Sequence, residues 1–143
     1  MKIAFVNDTF LDGRGADVVI YELAKRLGKK HDVYVLTGES NIKEDGFKII
    51  KIKLPKLFTG KIKDFGFFYN MLKLRNQIKK LQRAYHFDVF NLLHSSLNLA
   101  FIGFPTVVTW LGSPYTNNLL RKILNRGLLF TLRKNKKTIG CYS

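Results

Sequence analysis

Apolar positions along this chain switch repeatedly between two spacings. Residues 2–6 (Lys-Ile-Ala-Phe-Val) are a short apolar, β-branched run and predict a buried strand. Residues 7–15 are polar, carry Gly13 and Gly15, and predict a loop. Over residues 16–27 the spacing becomes helical. Val19, Ile20, Leu23, Ala24 and Leu27 share one side, with Glu22, Lys25 and Arg26 on the other. Gly28 follows, where a helix end favours a residue that tolerates positive φ.

The alternation continues. Residues 32–37 predict a second strand, 38–45 a polar loop, and 47–54 a third strand. In that third strand Ile50, Ile52 and Leu54 face one way and Lys51 and Lys53 the other, which suits a sheet edge. Pro55 ends it, and a basic, aromatic loop is expected over 57–66. The clearest helix covers 67–85, with Phe67, Met71, Leu74, Ile78, Leu81 and Tyr85 in one stripe and Lys73, Lys79, Lys80 and Arg83 off it. Such a stripe packs either on a sheet or on a membrane or partner surface.

Residues 89–120 contain no Asp, Glu, Lys or Arg, a span long enough to cross a bilayer. Asn91, His94, Ser95, Ser96, Asn98, Gly103 and Pro105 interrupt it too often for that. Two strands buried on both faces, over 89–93 and 106–111, fit better, with a short helix near 97–102 between them. A helix over 117–132 and a sixth strand over 137–142 complete the pattern. Strands alternating with helices predict a doubly wound α/β domain, mostly parallel, in the order 3-2-1-4-5-6 with helices on both faces. Ligands in such sheets bind beyond the C-terminal strand ends. The segments there are 7–15, 37–40, 94–96 and 112–116.

Composition adds constraints. At 143 residues the chain is expected to form one domain, residues 1–143, with a substantial core. Its one cysteine, Cys141, excludes a disulfide framework and suits a reducing compartment. Met1 opens directly on a strand, so no signal peptide is expected. Three histidines and one cysteine are too scattered for a metal site, and no catalytic triad is readable. No cofactor is expected. NAD or FAD would need glycines directly after the first strand, and Val18 stands where the third small residue belongs.

The formal charge of +15 is the unusual quantity, and it calls for an anionic partner or surface. Between residues 46 and 86 the only acidic residue is Asp64, and after Asp88 there is none. Anionic lipid, a polyanionic or lipid-phosphate acceptor, and a merely solvated basic surface are the competing explanations. Nucleic acid is not expected, because no RNP, KH or helix-turn-helix pattern is present to read bases.

The chemistry-bearing stretch is the first turn. The N-terminus of the first helix offers free N–H groups and a partial positive charge, Gly13 and Gly15 admit a close ligand, and Arg14 could add a charged contact. Residues 5–10 (Phe-Val-Asn-Asp-Thr-Phe), 14–17 (Arg-Gly-Ala-Asp), 21–27 (Tyr-Glu-Leu-Ala-Lys-Arg-Leu) and 31–37 (His-Asp-Val-Tyr-Val-Leu-Thr) resemble the start of a GT-B glycosyltransferase. The similarity is to the large retaining family that includes phosphatidylinositol mannosyltransferases and sucrose synthases. Phe87-Asp88-Val89 resembles its fourth strand, residues 105–109 its fifth, and residues 139–143 its "Ala-Val-Ser" strand.

The resemblance implies the N-terminal, acceptor-binding half of such an enzyme, Rossmann-like in fold. A C-terminal donor-binding domain is expected to be absent, or to lie on a partner chain. The implied substrates are a nucleotide-sugar and an acceptor, the latter lipid-linked if the charge serves a membrane. The alternative is a non-catalytic membrane-docking or acceptor-binding subunit of a split glycosyltransferase. The implied location is cytoplasmic, peripheral at the inner membrane face. Arg14 replaces the first glycine of the family's pair, so Gly15 carries over as the backbone contact near the donor phosphate. Gly112 and Ser113 are the further substrate- or phosphate-binding candidates. Asn91 and Leu93 align with the family's strand-end histidine, and His94 does so after a one-residue slip. His94 is therefore either a hydrogen-bonded structural residue or the catalytic candidate, facing the reacting sugar with a neutral imidazole.

Overall fold

The computed structural model describes residues 1–53, 64–93, 97, 100–110 and 139–142. Six strands form one sheet: β1 (Lys2–Phe10), β2 (Asp32–Ser40), β3 (Lys48–Lys51), β4 (Val89–Leu92), β5 (Thr106–Trp110) and β6 (Ile139–Tyr142). All five pairings are parallel, and the order is β3-β2-β1-β4-β5-β6, as the alternation predicts. Two helices are described, α1 (Gly15–Leu27) after β1 and α2 (Asp64–Tyr85) after β3. The helix expected over 117–132 and the first part of the loop expected over 57–66 lie outside the described residues. The end of that loop is already helix, since α2 begins at Asp64.

Each helix covers one face. Ile3, Phe5, Val33 and Val35 point to α1, where they pack with Ile20, Ala24, Phe10 and Phe47. Their alternates Ala4, Val6, Tyr34 and Leu36 point to α2 and meet Met71, Leu74 and Ile78. Two buried faces explain why β1 and β2 begin as unbroken apolar runs. The α2 stripe is thus core, with Leu81 and Tyr85 half-buried against the same cluster. At the edge, β3 buries no residue fully and exposes Lys48 and Lys51, and just after it Ile52 is buried while Lys53 is exposed. Beside α2, aromatic rings continue the packing from Tyr34 through Phe87 and Phe90 to Phe101, each pair edge-to-face with centroids 5.2–5.3 Å apart. Leu97, Ala100 and Phe101 lie in short 3₁₀ geometry, near the predicted helix, and Arg75 Nη1 donates to the Ile102 carbonyl at 2.7 Å.

The strand ends differ from expectation. β1 runs to Phe10 and β2 to Ser40, and they stay paired through Thr9–Glu39 and Phe10–Ser40. The polar residues at 7–9 and 38–40 mimic loops, yet Asn7 and its neighbour Thr37 are buried and bonded locally, so pairing continues to Phe10 and Ser40. On α1, Val19 and Leu23 are 38% exposed, and only Ile20 and Ala24 of the predicted side are fully buried. A single helix over a twisted sheet covers a narrower arc than the full apolar side.

Gly28 has an ordinary helical φ of −60°, not the positive φ expected of it. Its glycine is explained by packing. A Cβ there would overlap the carbonyl of Gly46, which itself turns with φ +75°. Close by, Asp45 receives hydrogen bonds from Tyr21 Oη at 2.9 Å and from Lys25 Nζ at 2.6 Å, tying α1 to the loop before β3. The Lys25 hydrogen bond, with that of Tyr21, holds the Asp45 carboxyl below its ordinary 3.8. The Asp45 hydrogen bond and charge hold Lys25 above 10.5.

Gly28→Ala should lower unfolding stability by about 1–3 kcal/mol, measured by urea denaturation, because backbone and not a mobile side chain fills the space. A neutral result would mean that the Gly46 turn yields freely. Asp45→Asn should lower the melting temperature slightly at neutral pH. A depressed carboxyl contributes above 3.8 and loses its effect as pH falls through its folded value, so the two proteins should converge in acid.

Candidate functional site

Successive strands wind outward from β1 in one direction and from β4 in the other. The crevice between their C-terminal ends is therefore the switch point where doubly wound sheets bind ligands. The β1–α1 turn forms one wall. Gly13 turns with φ +79°, which a side chain would resist, and the Asp12 N–H donates to Asn41 Oδ1 at 2.9 Å, anchoring the turn to the end of β2.

Asp17 organises this turn. It is 1% exposed, in the first turn of α1, where the helix dipole favours a carboxylate. Its Oδ1 accepts from Asn7 Nδ2 at 2.6 Å, and its Oδ2 from the Leu11 N–H at 2.9 Å and Thr9 Oγ1 at 3.3 Å. One side chain thus fastens the helix start to the last four residues of β1 and the residue after it. Asn7 spends its other N–H on the Thr9 carbonyl at 2.8 Å. Its Oδ1 is left buried with no hydrogen-bond partner, an arrangement that costs about 1–3 kcal/mol unless a donor reaches it.

Arg14 and Gly15 stand together here. Arg14 is the N-cap, in extended conformation with no side-chain cap bond, and its exposed guanidinium donates to Thr9 Oγ1 at 3.3 Å. The first helical bond runs from the Val18 N–H to the Arg14 carbonyl, so the N–H groups of Gly15, Ala16 and Asp17 have no acceptor within the helix. Gly15 lies at a non-positive φ, and a Cβ on it would meet nothing within 4 Å. Neither its backbone conformation nor its packing calls for glycine. The same open space is what an incoming group needs to reach the leading N–H groups.

Across the crevice, Thr109 Oγ1 donates to Asn91 Oδ1 at 2.9 Å, joining β4 to β5 near their C-terminal ends. His94, Gly112 and Ser113 lie outside the described residues, as do the side chains of Trp110 and Cys141. Among the described residues, no three His, Cys, Asp or Glu side chains are grouped to hold a metal. An open groove of about 400 Å³ exists elsewhere, lined by Gly28, His31, Asp32, Glu44, Gly46 and Lys48 among others. It lies where β2 and β3 begin, at the opposite end from the switch point, and the sheet's topology speaks for the crevice.

Sequence reasoning missed Asp17 and Asn7. An acidic residue two positions after a glycine that opens a helix was the available signal for Asp17. For Asn7, a lone amide entering the polar stretch carries no such mark.

A parallel doubly wound sheet with a glycine-bearing turn at its switch point defines a Rossmann-like domain. The glycosyltransferase family 4 model matches residues 13–141. The chain belongs to that family. It is also similar in structure to sucrose-phosphate synthase from Thermosynechococcus elongatus, with a TM-score of 0.62 at 13% identity over 97% of this chain. At that identity the likeness speaks for the fold. The chain spans 47% of the length of that enzyme. No match was found among curated proteins.

Asp17→Asn should destabilise the chain by about 1–3 kcal/mol, since an amide nitrogen would confront donors that now have an acceptor. Urea denaturation measures it. Stability equal to that of the parent would remove Asp17 from its organising role.

Proposed function

We propose that this chain is the acceptor-side half of a family 4 glycosyltransferase that moves a sugar from a nucleotide-sugar to an acceptor hydroxyl. The observation that carries this reading is Gly15, a glycine required by neither conformation nor packing, at the start of a helix whose leading N–H groups have no acceptor within the helix. A donor phosphate fits that position, with the Arg14 guanidinium beside it. His94 is the proposed catalytic residue, facing the reacting sugar, and Gly112 and Ser113 are proposed to complete the crevice.

Family membership and the extent of the structural likeness support a division of labour in which a second domain binds most of the donor. That domain either continues this chain or belongs to a partner. The charge of +15 favours an anionic acceptor, and we infer a lipid-linked one met at the cytoplasmic membrane face. Among the described residues no helix is long and apolar enough to cross a membrane, so the proposed association is peripheral. The second reading is a non-catalytic subunit of the same assembly, favoured by Arg14 standing where the family's first glycine does.

Residues 1–143 alone should show no more than trace transfer with any nucleotide-sugar. Linked to a family 4 donor-binding domain that restores turnover, Gly15→Ala should cut the rate at least about tenfold, the loss of one charge-assisted contact. Its melting temperature should not fall. Robust transfer by residues 1–143 alone would contradict the division of labour. An unchanged rate in the linked Gly15→Ala variant would remove the turn from the donor site.

A further inference from the structure

The stripe of α2 that sequence reasoning left between core and membrane is core, which directs the question to the opposite face of the helix. From Tyr69 to Ala84 the exposed positions are Tyr69, Leu72, Lys73, Asn76, Lys79, Lys80, Arg83 and Ala84. At 100° per residue these occupy one arc of roughly 140°. It carries four cations and no acidic residue. Among the described residues none of the four makes an ion pair, whereas Lys25 and Arg26 on α1 both do.

The arc is also graded along its length. Its cations continue to Arg83, while its large apolar side chains sit at the N-terminal end. Tyr69 is 57% exposed and Leu72 61% exposed, and Lys73 Nζ lies 4.3 Å over the Tyr69 ring. Lys2 Nζ donates to the Tyr85 carbonyl at 2.9 Å, which fixes the C-terminal end of α2 beside the start of β1. The helix therefore runs antiparallel to the strands. Tyr69 and Leu72 lie toward the C-terminal strand ends, the same end of the sheet as the candidate site.

The geometry points to the outer face of α2 as a docking strip for an anionic lipid bilayer, with Tyr69 and Leu72 entering the interface and Lys73, Lys79, Lys80 and Arg83 lying along the headgroups. The strip is about 21 Å long from Tyr69 to Arg83 at 1.5 Å per residue. Basic side chains spaced along one face match a planar charged surface. An amphipathic tyrosine and a leucine beside them supply the apolar contact that a soluble polyanion would not use. Docked this way, the sheet presents its ligand-binding end toward the end of the helix that enters the membrane. This inference rests on the lipid-linked acceptor proposed above, and its test reads binding without turnover.

The test is co-sedimentation of residues 1–143 with vesicles of neutral phosphatidylcholine or of phosphatidylcholine mixed with phosphatidylserine. Binding should be strong to the anionic vesicles, weak to the neutral ones, and largely lost near 1 M salt, where the screening length is about 3 Å. The quadruple variant Lys73→Gln, Lys79→Gln, Lys80→Gln and Arg83→Gln should bind anionic vesicles more than about tenfold less well, each basic residue near the surface being worth about a factor of five. A control variant removes equal charge elsewhere: Lys29→Gln, Lys30→Gln, Lys48→Gln and Lys51→Gln. It should lose far less. Tyr69→Ser with Leu72→Ser should weaken binding at both low and moderate salt. All substituted positions are exposed, so circular dichroism should show an unchanged fold. Equal losses in the two quadruple variants would overturn α2 as the docking strip while leaving a membrane role intact. Binding to neither vesicle, or binding unaffected by the Tyr69 and Leu72 changes but competed away by soluble RNA or heparin, would overturn the bilayer as partner.

Discussion

A single buried carboxylate holds the β1–α1 turn of this domain in shape. Asp17 receives three hydrogen bonds from the end of β1 and the residue beyond it, and it does so from the first turn of the helix that follows. Strand and helix are thereby locked at a fixed angle around the short turn that carries Gly13, Arg14 and Gly15. The carboxylate also sits in the first turn of α1, where the helix dipole stabilises a negative charge. Beside it the first helical bond runs from the Val18 N–H to the Arg14 carbonyl, so the N–H groups of Gly15 and Ala16 have no acceptor within the helix.

That constraint links fold to chemistry. β1 is the central strand, covered by α1 on one face and α2 on the other, and it lies beside β4 at the switch point. An apolar core on each face makes the strand ends rigid platforms. The polar residues at those ends, Asn7, Thr37, Asn91 and Thr109, bond to neighbouring elements at the level where a ligand would enter. The basic surplus has its own place. On α2 it occupies the face away from the core, so the charge that sets this chain apart is compatible with burial of the apolar stripe beneath it.

The architecture was legible because apolar periodicity carries it. Runs such as Ile3 to Val6 and Val33 to Leu36 have the length and composition of buried strands, and the Met71, Leu74, Ile78 stripe has the spacing of a helix, whose packing on the sheet the fold decides. The strand ends were less legible. Asn7 reads as a loop residue and Thr37 as the last residue of its strand, since a pattern of polarity does not reveal that a buried amide or hydroxyl finds partners within its own turn. Gly28 gave the right residue for the wrong reason. Its need for glycine comes from the Gly46 carbonyl, eighteen positions along the chain, and no local rule records that approach. Asp17 was visible inside the motif at 14–17, but its role depends on three partners that only the folded turn assembles.

In the function proposed above, the Asp17-held turn is the edge of the site that receives the donor phosphate. The most direct measurement is a ¹⁵N NMR titration of residues 1–143 with a nucleoside diphosphate. Shifts should concentrate at the amides of Gly13, Gly15 and Ala16 and be lost in Asp17→Asn under conditions where that variant remains folded. Shifts gathered instead around His31, Glu44 and Lys48 at the other end of the sheet, or shifts at the turn that survive Asp17→Asn unchanged, would contradict it.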